Sequence, residues 1–258
     1  MPSAYAHLRF GGDVLSRLPE PAKDAVHKHR KLYDLGTHGP DLFYFYRFWA
    51  IHWTDSLGYV YHYGDSKRYF SEIAEILRAS ASEEATAYLY GLLAHYALDS
   101  LCHPYVKKMD EEGQAQHVEI ETEFDRFLLE TDGMLLPKPH FPMEHLKTRK
   151  RERELLRVFY PRATAAQLRE SMAMTRFFTG KAMFREGKHT AVVKKLLGSY
   201  FSQYLLSPAP NLRCAQTNQE LLRLYGEAAE RFGCLAEQMQ THLTHGTPLG
   251  EEFAPIFG

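Results

Sequence analysis

Five residues in the middle of the chain have the types and spacing for metal chemistry: His95, Asp99, His103, His117 and Glu121. His95, Asp99 and His103 follow one another at intervals of four, and so do His117 and Glu121. On an α-helix, residues i and i+4 lie on one face, one turn apart. The segment around the first three, Tyr90 to Leu101, is otherwise largely apolar. Burying imidazole and carboxylate groups there without partners is costly. A divalent cation offsets that cost, and neutral imidazole nitrogen with carboxylate oxygen is a ligand set that zinc takes. A single histidine on an apolar helix is ordinarily a satisfied core residue. Two His/acid pairs at helical spacing on consecutive helices, with His103-Pro104 between them, are much harder to obtain that way.

The elements that must position these residues read as helices nearly throughout. Tyr5 to Leu18 carries apolar residues at helical spacing until Pro19 and Pro21 stop it. Ala22 to Leu35 is a second amphipathic stretch, ended by Gly36. Gly39-Pro40-Asp41 is a turn, and an aromatic run through Phe43, Tyr44, Phe48, Trp49 and Trp53 follows it. Helix is expected over Asp65 to Ala79. Ser82-Glu83-Glu84 places a cap and first-turn acids before a buried helix from Ala85 to Cys102. Pro104 is expected to close that helix at His103. Gln116 to Glu130, Lys147 to Arg157, Ala163 to Arg185, Thr190 to Leu206 and Asn218 to His242 complete an all-α chain. The Pro-rich stretch Gly133 to Pro142 divides it into residues 1–132, carrying the metal residues, and a helical region 133–258 packed on them.

The 258 residues are 45% hydrophobic, enough for one sizeable core. With 31 basic and 32 acidic residues, no global nucleic-acid or membrane surface is indicated. No apolar run is long enough to span a bilayer. The first ten residues lack the basic and apolar regions of a secretory signal. Cys102, Cys214 and Cys234 are an odd, sparse set, expected as reduced core residues. Together these point to the cytoplasm. The sequence carries no signal for an oligomeric state.

Several chemistries find no motif. There is no His-Glu-x-x-His, no Gly-x-Ser-x-Gly, no Gly-x-x-x-x-Gly-Lys-Ser/Thr and no His-Asp dipeptide. In their place, an ordered set of pieces runs along the first half. It comprises Tyr5-Ala6-His7, Gly39-Pro40-Asp41, Gly58-Tyr59-Val60-Tyr61-His62, the stretch His95-x-x-x-Asp99-x-x-x-His103-Pro104, and His117-Val118-Glu119-Ile120-Glu121. This pattern, over about residues 1 to 130, resembles the zinc-dependent phospholipase C family, which is structurally related to the S1/P1 nucleases.

The resemblance implies an all-α phospholipase C/P1 nuclease-like fold with a helical C-terminal extension and two or three Zn2+ per chain. Carried over by position, Asp41, His62, His95 and Asp99 would hold a buried zinc. Asp99 would bridge to a second held by His7 with the N-terminal amine and carbonyl. His103, His117 and Glu121 would hold a third. His52 is an alternative to His62, and His38 a candidate to act from behind the ligands. The amine-bearing residue in secreted relatives is commonly Trp; here it would be Pro2 or Met1. The activity implied is phosphoric-ester hydrolysis, a zinc-activated water attacking a phosphodiester. Asp41 would be either a ligand or the group that orients that water. The implied partner is a small phosphate ester or a phospholipid head group, with no stable nucleic-acid complex. Tyr44, Trp49 and Trp53 could line the substrate side, although aromatics mainly fill cores. A P1-like nuclease or nucleotidase, and a metal-stabilised helical binding protein with little turnover, are the alternatives.

Overall fold

The computed structural model describes residues 4–47, 56–134, 143–179 and 205–258. Among them are ten α-helices, joined by 3₁₀ turns, and no strand. In chain order they are α1 (Ala4–Asp13), α2 (Glu20–Lys28), α3 (Arg30–Gly36), α4 (Leu57–His62), α5 (Ser66–Ser80), α6 (Glu83–Glu111), α7 (His117–Thr131), α8 (Lys150–Leu156), α9 (Ala165–Phe177) and α10 (Ala215–His245).

The axis of the molecule is α6. Ser82 caps it, its hydroxyl accepting from the Ala85 amide at 3.2 Å, and Glu83 and Glu84 complement the dipole of the first turn. Every side chain from Tyr88 to Ser100 is buried. Helices α1, α2, α3, α7 and α10 pack around it. Such a helix cannot be amphipathic, because it has no solvent face over that span.

Two glycines let α3 press against α6. A Cβ on Gly91 would lie 2.0 Å from the Tyr33 carbonyl oxygen, and one on Gly36 would lie 2.4 Å from that of Tyr88. The chain leaving α3 therefore starts directly over the His95 turn. It continues through a 3₁₀ turn, Gly39–Phe43, that carries Asp41. Gly39 has φ +49°, and a Cβ there would meet the His95 ring at 2.5 Å. Both facts require glycine.

The structure departs from the sequence expectation in three places. Pro104 does not end α6, which runs on to Glu111. Its ring lies on the exposed side. The helix-interior penalty of about 3 kcal/mol is opposed by burial of Cys102, His103 and Val106 on the other side. His103 thereby stands inside the helix, in one continuous row with His95 and Asp99. Second, the stretch before Gly36 is two helices, broken at His29, where φ is −124° and ψ 40°. Third, Cys102 and Cys214 are buried but Cys234, on α10, is exposed. The parts of the expected helices Ala163 to Arg185 and Thr190 to Leu206 that fall in 180–204 lie outside the described residues.

After α10 the chain turns at Gly246 and returns as an irregular strap, residues 246–258, across α5 and α6. The Tyr96 hydroxyl donates to the Glu252 and Pro255 carbonyls, at 3.2 and 2.9 Å, and the Arg231 guanidinium donates to Glu252 O at 2.6 Å. Phe253 and Phe257 are buried beneath it.

Candidate metal centre

Four elements converge on one face of α6. Helix α1 supplies His7, the 3₁₀ turn supplies Asp41, the end of α4 supplies His62, and α6 supplies His95, Asp99 and His103. Helix α7 supplies His117 and Glu121. Two groups of ligand-type atoms lie mutually within 4.8 Å: Asp41, His62, His95 and Asp99, and then His103, His117 and Glu121. Either could hold a metal ion.

Asp99 stands between the imidazoles. Its Oδ2 is 3.1 Å from His95 Nε2 and 3.8 Å from His62 Nε2, while its Oδ1 is 3.2 Å from His7 Nε2. Asp41 Oδ1 is 2.9 Å from His62 Nε2, and its Oδ2 is 3.7 Å from His7 Nε2. In the second group, Glu121 Oε1 is 3.0 Å from His117 Nε2 and 3.4 Å from His103 Nε2. A cavity of about 20 Å³, the size of one water or ion, lies where His7, Asp99, His103 and Glu121 meet Phe124 and Leu221.

Tautomers follow from the opposite ring nitrogens. His62 Nδ1 is 2.7 Å from the Gly58 carbonyl, His95 Nδ1 is 3.1 Å from that of Thr37, and His103 Nδ1 is 3.4 Å from that of Phe257. A carbonyl can only accept, so each Nδ1 is the N–H. For His95, which burial keeps neutral, Nε2 then aims its lone pair at a carboxylate, which is itself an acceptor. His95 Nε2 and both Asp99 oxygens are buried and make no hydrogen bond. Imidazole anchored to a main-chain carbonyl, with its other nitrogen facing carboxylates, is the arrangement that second-shell bonding gives metal-ligating histidines. The residues fit a divalent cation.

Electrostatics agree with that fit. Burial alone would raise the carboxyls of Asp41 and Asp99, but the N-terminal positive charge with the His62 hydrogen bond outweighs it at Asp41, and His95, His103 and His7 outweigh it at Asp99, so both are held below the ordinary range. Glu121 is likewise lowered to about 2, against burial, by His117 and His103. Burial lowers His95. His103 is raised to about 9, because Asp99 and Glu121 overcome its desolvation.

Asp125 also belongs to this centre, beyond the residues singled out from the sequence. Its Oδ1 accepts from the Ala6 amide at 2.8 Å and its Oδ2 from the Tyr5 amide at 3.1 Å. It thus caps α1 from α7 and fixes the turn that carries His7. Burial raises its carboxyl to about 7 despite these donors. The signal was present, since Asp125 continues the four-residue row His117, Glu121.

Tyr44 is half-buried and packs edge-on against Phe45. Phe43, in the same run, is a core residue against Tyr61 and Tyr160. Trp49, Trp53, Phe48 and His52 lie outside the described residues, as do Met1 and Pro2. His38 stays out of both groups; its Nε2 lies 2.7 Å from Nε2 of buried His145.

A family model for zinc-dependent phospholipase C matches residues 6–172. The chain belongs to that family. The match extends past the first 130 residues, into α9, so it takes in all the clustered side chains. No curated protein and no solved structure matches the chain. As a member of a zinc-dependent family, it carries buried His/Asp groups of the kind zinc binds. No helix among the described residues is long and apolar enough to cross a membrane.

Proposed function

We propose that this protein is a zinc-dependent phosphoric-ester hydrolase acting on a phosphodiester. The observation that carries the reading is the buried meeting of acceptors at Asp99, where imidazole lone pairs and carboxylate oxygens face one another within 3.1–3.8 Å. Only a proton or a cation makes such a meeting favourable, and zinc is the cation of this family. Asp41, His62, His95 and Asp99 would hold one ion, His7 with Asp99 a second, and His103, His117 and Glu121 a third. Zinc bound there supplies a water of lowered pKa and positive charge for the phosphoryl oxygens.

The protein's own residues set the geometry. The main-chain carbonyls of Gly58, Thr37 and Phe257 fix the ring planes of His62, His95 and His103. Asp99, fully buried, balances charge from several directions. Asp41 would either complete the ligand set or accept a hydrogen bond from the attacking water; its lowered pKa keeps it an acceptor in both roles. The low polarity of the surrounding core strengthens each of these interactions.

Metal analysis of the purified protein should give two or three zinc ions per chain, and hydrolysis of phosphodiesters should stop on chelation and return with zinc. A protein that binds zinc and releases no product from phosphatidylcholine, single-stranded nucleic acid or a chromogenic diester would be a scaffold, and the hydrolase reading would be wrong.

A further inference from the structure

We infer that Phe257, carried by the strap 246–258, is a specificity-determining residue of the metal centre, closing its His62–His95 side to phosphoesters with long apolar groups. The inference rests on the hydrolase reading above and adds to it a residue far outside the family match.

The strap touches the ligands themselves. The Phe257 amide donates to the His62 carbonyl at 3.1 Å, and its own carbonyl accepts from His103 Nδ1 at 3.4 Å. Its ring lies 5.9 Å from that of His95 and 6.4 Å from that of His62. At Gly258 the backbone is so close that a Cβ would fall 1.9 Å from His103 Nδ1. One residue therefore ties the main chain of His62 to the imidazole of His103, two residues assigned to different metal groups, and the next leaves no room for a side chain.

The strap is also held down. The Phe257 ring stacks on Phe70 at 5.6 Å and 16°, and meets Tyr69 and Tyr96 edge-on. Phe253 is buried against the same Phe70 and Tyr96. Tyr96 and Arg231 bind the strap's carbonyls, as described above. Lifting it would expose two phenyl rings and leave buried donors without acceptors, so it acts as a wall of the site. A lipid ester needs an apolar path leading away from the metals for its acyl chains. On this side the path is filled by the protein's own phenyl ring. A compact, water-soluble diester needs no such path.

The test compares the zinc-loaded wild type with Phe257→Ala, and with Phe257→Leu, which keeps most of the packing. For each, kcat/KM is measured on bis(p-nitrophenyl) phosphate and on long-chain phosphatidylcholine in mixed micelles, with zinc content determined in parallel. The wild type should favour the small diester. Phe257→Ala should raise the lipid-to-small-diester ratio at least tenfold at unchanged zinc content, and Phe257→Leu by a smaller factor in the same direction. A ratio constant within twofold in a folded, zinc-loaded variant overturns the inference, as does a wild type that cleaves the lipid as readily as the small diester. If zinc binds but neither diester is cleaved, the hydrolase reading fails separately. The wall is then judged by zinc transfer to a chelating dye, which Phe257→Ala should speed at least fivefold; equal rates overturn it. A wild type without zinc removes both readings together.

Discussion

A carboxylate oxygen 3.1 Å from the lone pair of a neutral imidazole, whose only N–H donates to a main-chain carbonyl, repels that nitrogen unless a proton or a cation lies between them. Asp99 is in this position towards His95. Asp99→Asn keeps the shape and removes the charge, so it should lose at least one zinc per chain and lower Tm, read by metal analysis and calorimetry. Full retention of zinc would rule out the bridging role. Asp125→Asn should act one step removed. Replacing one of the two oxygens that accept from the α1 amides with an NH2 donor should cost about 0.5–2 kcal/mol, and zinc should be lost from the His7 side first. The His103–Glu121 pair gives a pH signature in chelated protein. Glu121 is depressed to about 2 from 4.5, so its contribution is present above pH 4.5 and lost as pH falls towards 2. His103 is raised to about 9 from 6.5, so its contribution is present below pH 6.5 and lost as pH rises through 9. The stability difference between the chelated wild type and Glu121→Gln should therefore be largest between pH 4.5 and 6.5, measured by denaturant titration across pH.

At the scale of elements, one helix supplies the central ligand row and the glycine contact that aims Asp41 at it. Gly91→Ala would force a Cβ towards the Tyr33 carbonyl. It should cost about 1–3 kcal/mol or more and lower zinc content, because the Thr37 carbonyl that holds His95 moves with α3. A destabilised variant with undisturbed zinc would show that the contact serves packing alone. This scale also separates what was legible in the sequence from what was not. The rows His95/Asp99/His103 and His117/Glu121 are local, and helical period alone puts them on one face. The course of α6 through Pro104 was not legible, because the burial that sustains it comes from partners distant in sequence. The capping of α1 by Asp125 links residues 119 and 120 apart. The strap is irregular, and no period announces that Phe257 returns to His62 and His103.

For the molecule as a whole, the candidate metal centre sits where α1, α4, α6, α7 and the Gly39–Phe43 turn come together, so a metal bound there would couple its binding to folding. Removing zinc should lower Tm in proportion to the logarithm of free zinc, a stabilisation of about 4 kcal/mol where zinc stands a thousandfold above Kd. A Tm that ignores chelator would mean that the core holds the centre together without the ion.

The three side chains of the second group differ in exposure. That of His117 is 34% exposed, whereas those of its companions Glu121 and His103 are 3% and 9% exposed. The centre therefore has a front and a back. Ions should trade with solvent at the His117 end long before those behind Asp99 do, so a chelator stripping the protein should meet two populations, one fast and one slow. A foreign divalent ion such as cadmium should enter at the fast position while the interior ions stay in place.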